Sequence, residues 1–204
     1  MAEKETVRLE AFSDGVFAIA ITLLVIELRP PQVERGSELA GALWDLWPGY
    51  FAYLVSFVTI GVMWLNHHRI FMQVRAVDGP LLLLNLHLLL WVALIPFPTA
   101  VVADYLADGG DGARTALVFY SAVFLLAGVA FGLLFGWITR DDRLLERRPP
   151  PEVVRAARLR FMFGQGVYLT AIVVSLIAPV VALALHGAMA VYYAFDQATV
   201  PASA

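Results

Sequence analysis

Few side chains among these 204 residues could do chemistry in an apolar setting, and most of them gather in three apolar runs. Asp14 stands beside Ser13 just before the apolar stretch Gly15–Ile26, with Phe12 ahead of it and Arg8 six residues upstream. Trp64, Asn66, His67 and His68 lie near the end of a second apolar run, and Asn85 and His87 lie in a third. A carboxylate and an imidazole can pass a proton, pair as ions or share a hydrogen bond, and imidazoles can also hold a metal. Adjacent residues sit about 100° apart on a helix, so one ion cannot readily take both His67 and His68. Pairing His67 with His87 leaves zinc without a third or fourth ligand, so no metal site is expected. The expected partners of the two histidines are Arg8, Ser13 or Asp14. A proton relay through Asp14 and His67 or His68 is the competing reading.

Other chemistries lack their residues. There is no cysteine, hence no thiolate nucleophile or thiolate metal site. No Walker loop, dinucleotide fingerprint, GxSxG or HExxH is present. A TVGYG-type carbonyl filter is missing too. No enzyme and no cofactor are expected. A net charge of −3, from 14 basic and 17 acidic residues, offers no basic surface for nucleic acid.

These residues have to be positioned by membrane helices. The chain is 60% hydrophobic and only 15% charged, against about 45–50% and about 25% in soluble domains. A span needs roughly 20 mostly apolar residues. The apolar runs are Ala11–Leu28, Leu46–Met72, Pro80–Val102, Ala116–Thr139 and Phe161–Phe195. The last covers 35 residues, too long for one span, and Pro179 is its natural break. The expected fold is an all-α integral membrane protein with six helices, at about 11–29, 46–72, 80–103, 115–139, 158–177 and 179–196, in one domain over 1–204. Five spans, with one long kinked helix, is the competing count. The acidic N-terminus reads as part of a retained helix and not as a cleavable signal.

Basic residues set the orientation. With six spans, one side holds Lys4, Arg8, Arg69, Arg75, Arg140, Arg143, Arg147, Arg148, Arg155, Arg158 and Arg160, and the other holds Arg29, Arg35 and Arg114. Both termini are thereby expected in the cytoplasm, with the protein multi-pass in the cell membrane. Pro96 and Pro98 should kink or end the third helix early. Gly128, Gly132 and Gly136 form two overlapping GxxxG steps on the fourth, which allow close approach within or between subunits.

The first span is unusual. To cross the membrane it must include Asp14, and a carboxylate facing lipid costs several kcal/mol. Asp14 is therefore expected to face other helices or an aqueous path, although a helix cap at Ser13-Asp14 with Arg8 as an interfacial anchor is the plainer alternative. Ile19, Thr22, Leu23 and Ile26 fall at i, i+3, i+4 and i+7 and form one stripe. By spacing alone, any apolar helix has such stripes, and ordinary core packing is the default reading.

Arg8-Leu9-Glu10-Ala11-Phe12-Ser13-Asp14-Gly15 matches an R-x-x-x-F-S-D pattern on a first transmembrane helix. With Trp64, Asn66, His67, His68 and Asn85, it resembles the potassium channel family called transmembrane protein 175, in its bacterial form with one six-span unit. The resemblance implies a homotetramer in the lipid bilayer, with helix 1 of each subunit lining a central pore. It implies potassium as the permeant ion, preferred over sodium, passing a hydrophobic constriction at Ile19, Thr22, Leu23 and Ile26. Arg8, Phe12, Ser13, Asp14, Trp64, Asn66, His67, His68 and Asn85 would then hold helix 1 against helices 2 and 3. A proton-coupled secondary transporter using Asp14 and His67 or His68 is the alternative, and a scaffold built on the glycine faces is a third.

Overall fold

The computed structural model describes residues 2–140, 143–147 and 149–199. Among these the chain is built of α-helices: α1 (Ala2–Ile26), α2 (Leu39–Asp45), α3 (Trp47–Phe71), α4 (Gly79–Leu94), α5 (Pro96–Tyr105), α6 (Gly110–Ile138), α7 (Pro151–Ser175) and α8 (Pro179–Thr199). A 3-10 turn, Gly36–Glu38, precedes α2. Among the described residues, four helical stretches are long and apolar enough to cross a membrane: Glu5–Ile26, Trp47–Phe71, Gly79–Tyr105 and Gly110–Ile138. In α8 the apolar part is the shorter Pro179–Phe195.

Helix ends follow the residues that stand there. Proline lacks an N–H, so it suits a first turn, where that donor has no helical partner. Pro48, Pro80, Pro96 and Pro151 all occupy such positions. Asp78 caps α4 by accepting from the Leu81 amide at 2.9 Å. Pro96 and Pro98 divide the third span into α4 and α5 at Ile95, while Thr99 N still donates to Ile95 O. The long final run divides at residues 176–178, where Pro179 starts α8. The first helix extends well beyond the apolar run, starting at Ala2 and not near residue 11. Charged residues can continue a helix past the membrane surface because the backbone bonds stay internal.

At the centre of the bundle is α6, which packs against α4, α5, α7 and α8. Its buried stripe includes Leu117, Tyr120, Phe124, Phe131, Leu134 and Ile138. Gly128 and Gly132 face Gln165 of α7, whose side-chain amide donates to Gly128 O. These two glycines are therefore used inside the subunit. Side-chain hydrogen bonds pin the helices at buried points. Ser56 of α3 bonds both Thr99 of α5, at 2.8 Å, and Tyr120 of α6, at 2.9 Å. Ser121 of α6 bonds His186 of α8. Lipid tails are as apolar as the core, so association depends on close packing and on such bonds, each contributing about 0.6 kcal/mol and at most about 1.7.

At the end of the bundle that carries the α3–α4 and α6–α7 loops, the two loops are stitched together. Arg75 N donates to Leu144 O, and Glu146 N donates to Gln73 O. Trp137 of α6 donates to the Asp78 carboxylate. One acid thus caps α4 and fixes the end of α6.

Candidate functional site

Helix α1 packs against α3, α4 and α5 with one stripe of its surface. That stripe is Thr6, Leu9, Ser13, Phe17, Ala20 and Leu24, all buried. Its steps of three and four residues are those of one helical face. Ser13 sits on this face with Glu10 and Asp14 at its edge, and polar connections to α3 and α4 hold them.

Asp14 accepts from the Trp64 indole N–H at 2.8 Å. One turn earlier, Glu10 accepts from His68 Nδ1 at 2.9 Å. Glu10 and Asp14 are four residues apart on α1, and Trp64 and His68 are four apart on α3. The two helices run in opposite directions, so the pairs form successive rungs. The Trp64 and His68 rings also stack, their centroids 5.9 Å apart. An indole can only donate and an ionised carboxylate can only accept, which fixes the direction of that bond.

The third connection is buried. Asn85 of α4 uses both ends of its amide. Its Oδ1 accepts from His67 Nε2 at 2.9 Å, and its Nδ2 donates to Ser13 Oγ at 2.9 Å. Ser13 in turn donates to Leu9 O. His67, Asn85 and Ser13 are all 0% exposed. The chain of donors ends on a backbone carbonyl, and an amide nitrogen does not hand a proton onward. His67 is enclosed further by Phe17 and by Phe71, which stacks on it at 4.1 Å. Three helices therefore meet at one residue from each: Ser13, His67 and Asn85.

Not all the expected motif residues join. Arg8 and Phe12 share a face, as their spacing requires, and both are exposed beside an open groove that faces Asp78 and Leu82 at the start of α4. No ion pair joins Arg8 to a described residue. Asn66, about 100° around α3 from His67, faces away from α1 and lines a cavity with Gln165 and Tyr193. His87 lies apart, exposed and bonded to Trp91. The two adjacent histidines serve different neighbours, His67 towards α4 and His68 towards α1. Glu10 was not among the expected site residues. Its signal was there, since two carboxylates four apart on one helix matched two ring donors four apart on another.

The opposite side of α1 is bare. Ile19 is 61% exposed, Leu23 39% and Ile26 68%, with Thr22 exposed between them. Thr22 donates its hydroxyl proton to Ala18 O and Ile19 O.

Residues 8–96, which include every residue of the three connections, match the family model described as endosomal/lysosomal potassium channel TMEM175. A potassium channel of Streptomyces collinus is 42% identical over 197 residues, covering 97% of this chain and 95% of that protein. The bovine endosomal/lysosomal proton channel TMEM175 is 30% identical over 166 residues, covering 78% of this chain and 34% of that protein. The crystal structure of a lysosomal potassium-selective channel TMEM175 homolog from Chamaesiphon minutus superposes with a TM-score of 0.84 at 40% identity, covering 95% of this chain and 98% of that one.

Proposed function

The chain belongs to the TMEM175 family of ion channels, and from that premise we propose that it conducts potassium in preference to sodium across the cell membrane. Four copies surround one pore, and α1 of each lines it. The observation that carries this reading is the division of α1 into a buried stripe and a bare apolar stripe. A helix held this firmly on one side, with Ile19, Leu23 and Ile26 uncovered on the other, suits a wall of a shared passage. The similarity to bacterial proteins named potassium channels supports the choice of ion.

The neck would select by dehydration. A ring of isoleucine and leucine side chains offers an ion no replacement for its water. Potassium holds its hydration shell less tightly than sodium, so stripping or deforming that shell costs it less. The preference is therefore moderate, in contrast to that of a carbonyl filter. Thr22 adds one ring of outward-facing oxygens on the same stripe. No cofactor takes part, and potassium is the permeant species.

In this reading the chain spans the membrane six times as one domain over residues 1–204, with α7 and α8 as the fifth and sixth spans. The two pack together as a hairpin about the 176–178 turn. Eleven basic residues against three support both termini in the cytoplasm.

Proton conduction is the second reading, favoured by the name of the animal relatives as proton channels. A proton-coupled carrier working through Asp14 and His67 or His68 would need a connected relay. His67 instead donates into an amide, Asp14 is held by an indole, and His68 meets Glu10 and not Asp14. The scaffold reading keeps only Gly136 of its glycine face open, because Gly128 and Gly132 are met by Gln165.

The test is electrical flux into liposomes holding purified protein, under potassium or sodium gradients. Wild type should pass potassium more readily than sodium. Ile19→Asn and Leu23→Asn should wet or widen the neck and weaken the discrimination. Unchanged current and selectivity in both variants would remove α1 from the pore. Saturable flux coupled to a proton gradient would favour the carrier.

A further inference from the structure

We propose that the groove between the end of α6 and the first two turns of α7 binds the headgroup of an anionic phospholipid. The groove is lined by Thr139 at the end of α6, by Pro149 and Pro151, and by Val154, Arg155, Arg158 and Leu159. Arg155 and Arg158 are both exposed and stand one helical turn apart on the same face. Neither has an ion-pair partner among the described residues. Guanidinium groups so placed match a phosphate, which accepts several parallel N–H bonds.

The next turns of α7 identify the rest of the ligand. Leu159, Met162 and Phe163 are exposed and large. With Arg155 and Arg158 they fall at i, i+3, i+4, i+7 and i+8, so the five residues form one stripe. The stripe changes from charged to apolar within one turn and continues through Leu169 and Val173, also exposed. Six residues separate Arg155 from Phe161, where the uncharged run begins, about 9 Å along the axis. That is the profile of a phospholipid, with an anionic head at the membrane surface and acyl chains alongside. An acidic protein surface would match the arginines but leave the apolar stripe uncovered.

On the orientation given under the proposed function, on which this inference rests, the groove faces the cytoplasmic leaflet. Anionic lipids there attract basic residues with about 1 kcal/mol for each near the surface. Two arginines together therefore correspond to about thirty-fold in affinity, and one to about five-fold.

Purified full-length protein in neutral detergent would be titrated with dioctanoyl phosphatidylglycerol, and binding read from the rise in melting temperature. Wild type should saturate, and Arg155→Gln/Arg158→Gln should need about thirty-fold more lipid. Both side chains are exposed and unpaired, so the variant should keep its unliganded melting temperature. If the double variant is not recovered folded, Arg158→Gln alone should shift the midpoint about five-fold. The control Arg29→Gln/Arg35→Gln removes the same charge beyond the other end of α1 and should leave the midpoint in place. Equal weakening by that control would overturn the site in favour of a diffuse field. An equal response to dioctanoyl phosphatidylcholine, or full reproduction of the effect by inorganic phosphate, would overturn the assignment to an anionic lipid. So would wild-type affinity in the double variant. The measurement involves no ion flux, so the result stands apart from whether the protein conducts.

Discussion

On its inner face, α1 gives Glu10, Ser13 and Asp14 each a hydrogen-bonding partner on another helix, while on its outer face Ile19, Leu23 and Ile26 stand uncovered in the single chain. The two faces lie on the same helix and differ in what can vary. A buried polar group needs its particular partner, because an orphaned donor or acceptor forfeits the whole of its lost solvation. An apolar side chain in a ring needs only the right size. The inner face thus behaves as architecture, sensitive to single atoms, and the outer face as a surface whose polarity can change without loss of the fold.

The contrast between the faces breaks most readily at Asn85. Asn85→Leu removes the partner of both His67 Nε2 and Ser13 Oγ, which are buried. His67 Nε2 is orphaned at about 1–3 kcal/mol, while Ser13 Oγ keeps Leu9 O and loses one bond of about 0.6 kcal/mol, so the variant should lose about 2–4 kcal/mol. A melting curve in detergent should show it, with little monodisperse protein recovered. A melting temperature within a few degrees of wild type would mean that the three-helix junction is not a structural tie.

Asp14→Ala should come next. It leaves the Trp64 indole without its acceptor and removes a charge-assisted bond of about 1.5–3 kcal/mol. Loss of assembled protein by size exclusion is expected, with Asp14→Asn partly restoring it through the amide oxygen. A stable assembly with normal flux would contradict the structural role of the carboxylate.

The outer face should answer differently. Leu23→Asn should leave the stability within about 0.5 kcal/mol of wild type, as surface changes usually do. The potassium-to-sodium ratio should meanwhile fall several-fold in liposome flux. Instability without a change in selectivity would reverse the assignment of the two faces. The smallest effect concerns the outer rung of the tie. A double-mutant cycle of Glu10→Gln and His68→Gln should give a coupling of about 0.6 kcal/mol, and no more than about 1.7. No coupling would remove Glu10–His68 as a rung and leave Asp14–Trp64 to tie that part of α1 to α3.

Much of this was legible along the chain. The helical class followed from composition, and the break of the third run at Pro96 from the missing proline donor. The ties of Ser13, Asp14, His67, His68 and Asn85 to partners on other helices followed from the cost of placing polar groups in an apolar run. Their pairing was less legible. Depth along the helices alone set His67 and His68 against Arg8, Ser13 or Asp14. In the fold His67 reaches Ser13 only through Asn85, His68 takes Glu10, and Trp64 takes Asp14. Arg8, Phe12 and Asn66 belong to the same stretches of sequence but lie outside these ties, since a helix turns adjacent residues to different neighbours.

Periodicity fixes which residues share a face, because it depends only on the 100° step between neighbours. The sequence therefore determined by itself that Ile19, Thr22, Leu23 and Ile26 form one stripe, and that Arg8 and Asp14 point apart. Which stripe is covered depends on where the other helices stand, and only the tertiary structure decided it. The packing of α3, α4 and α5 against Ser13, Phe17, Ala20 and Leu24 buried one side of α1 and left the other bare.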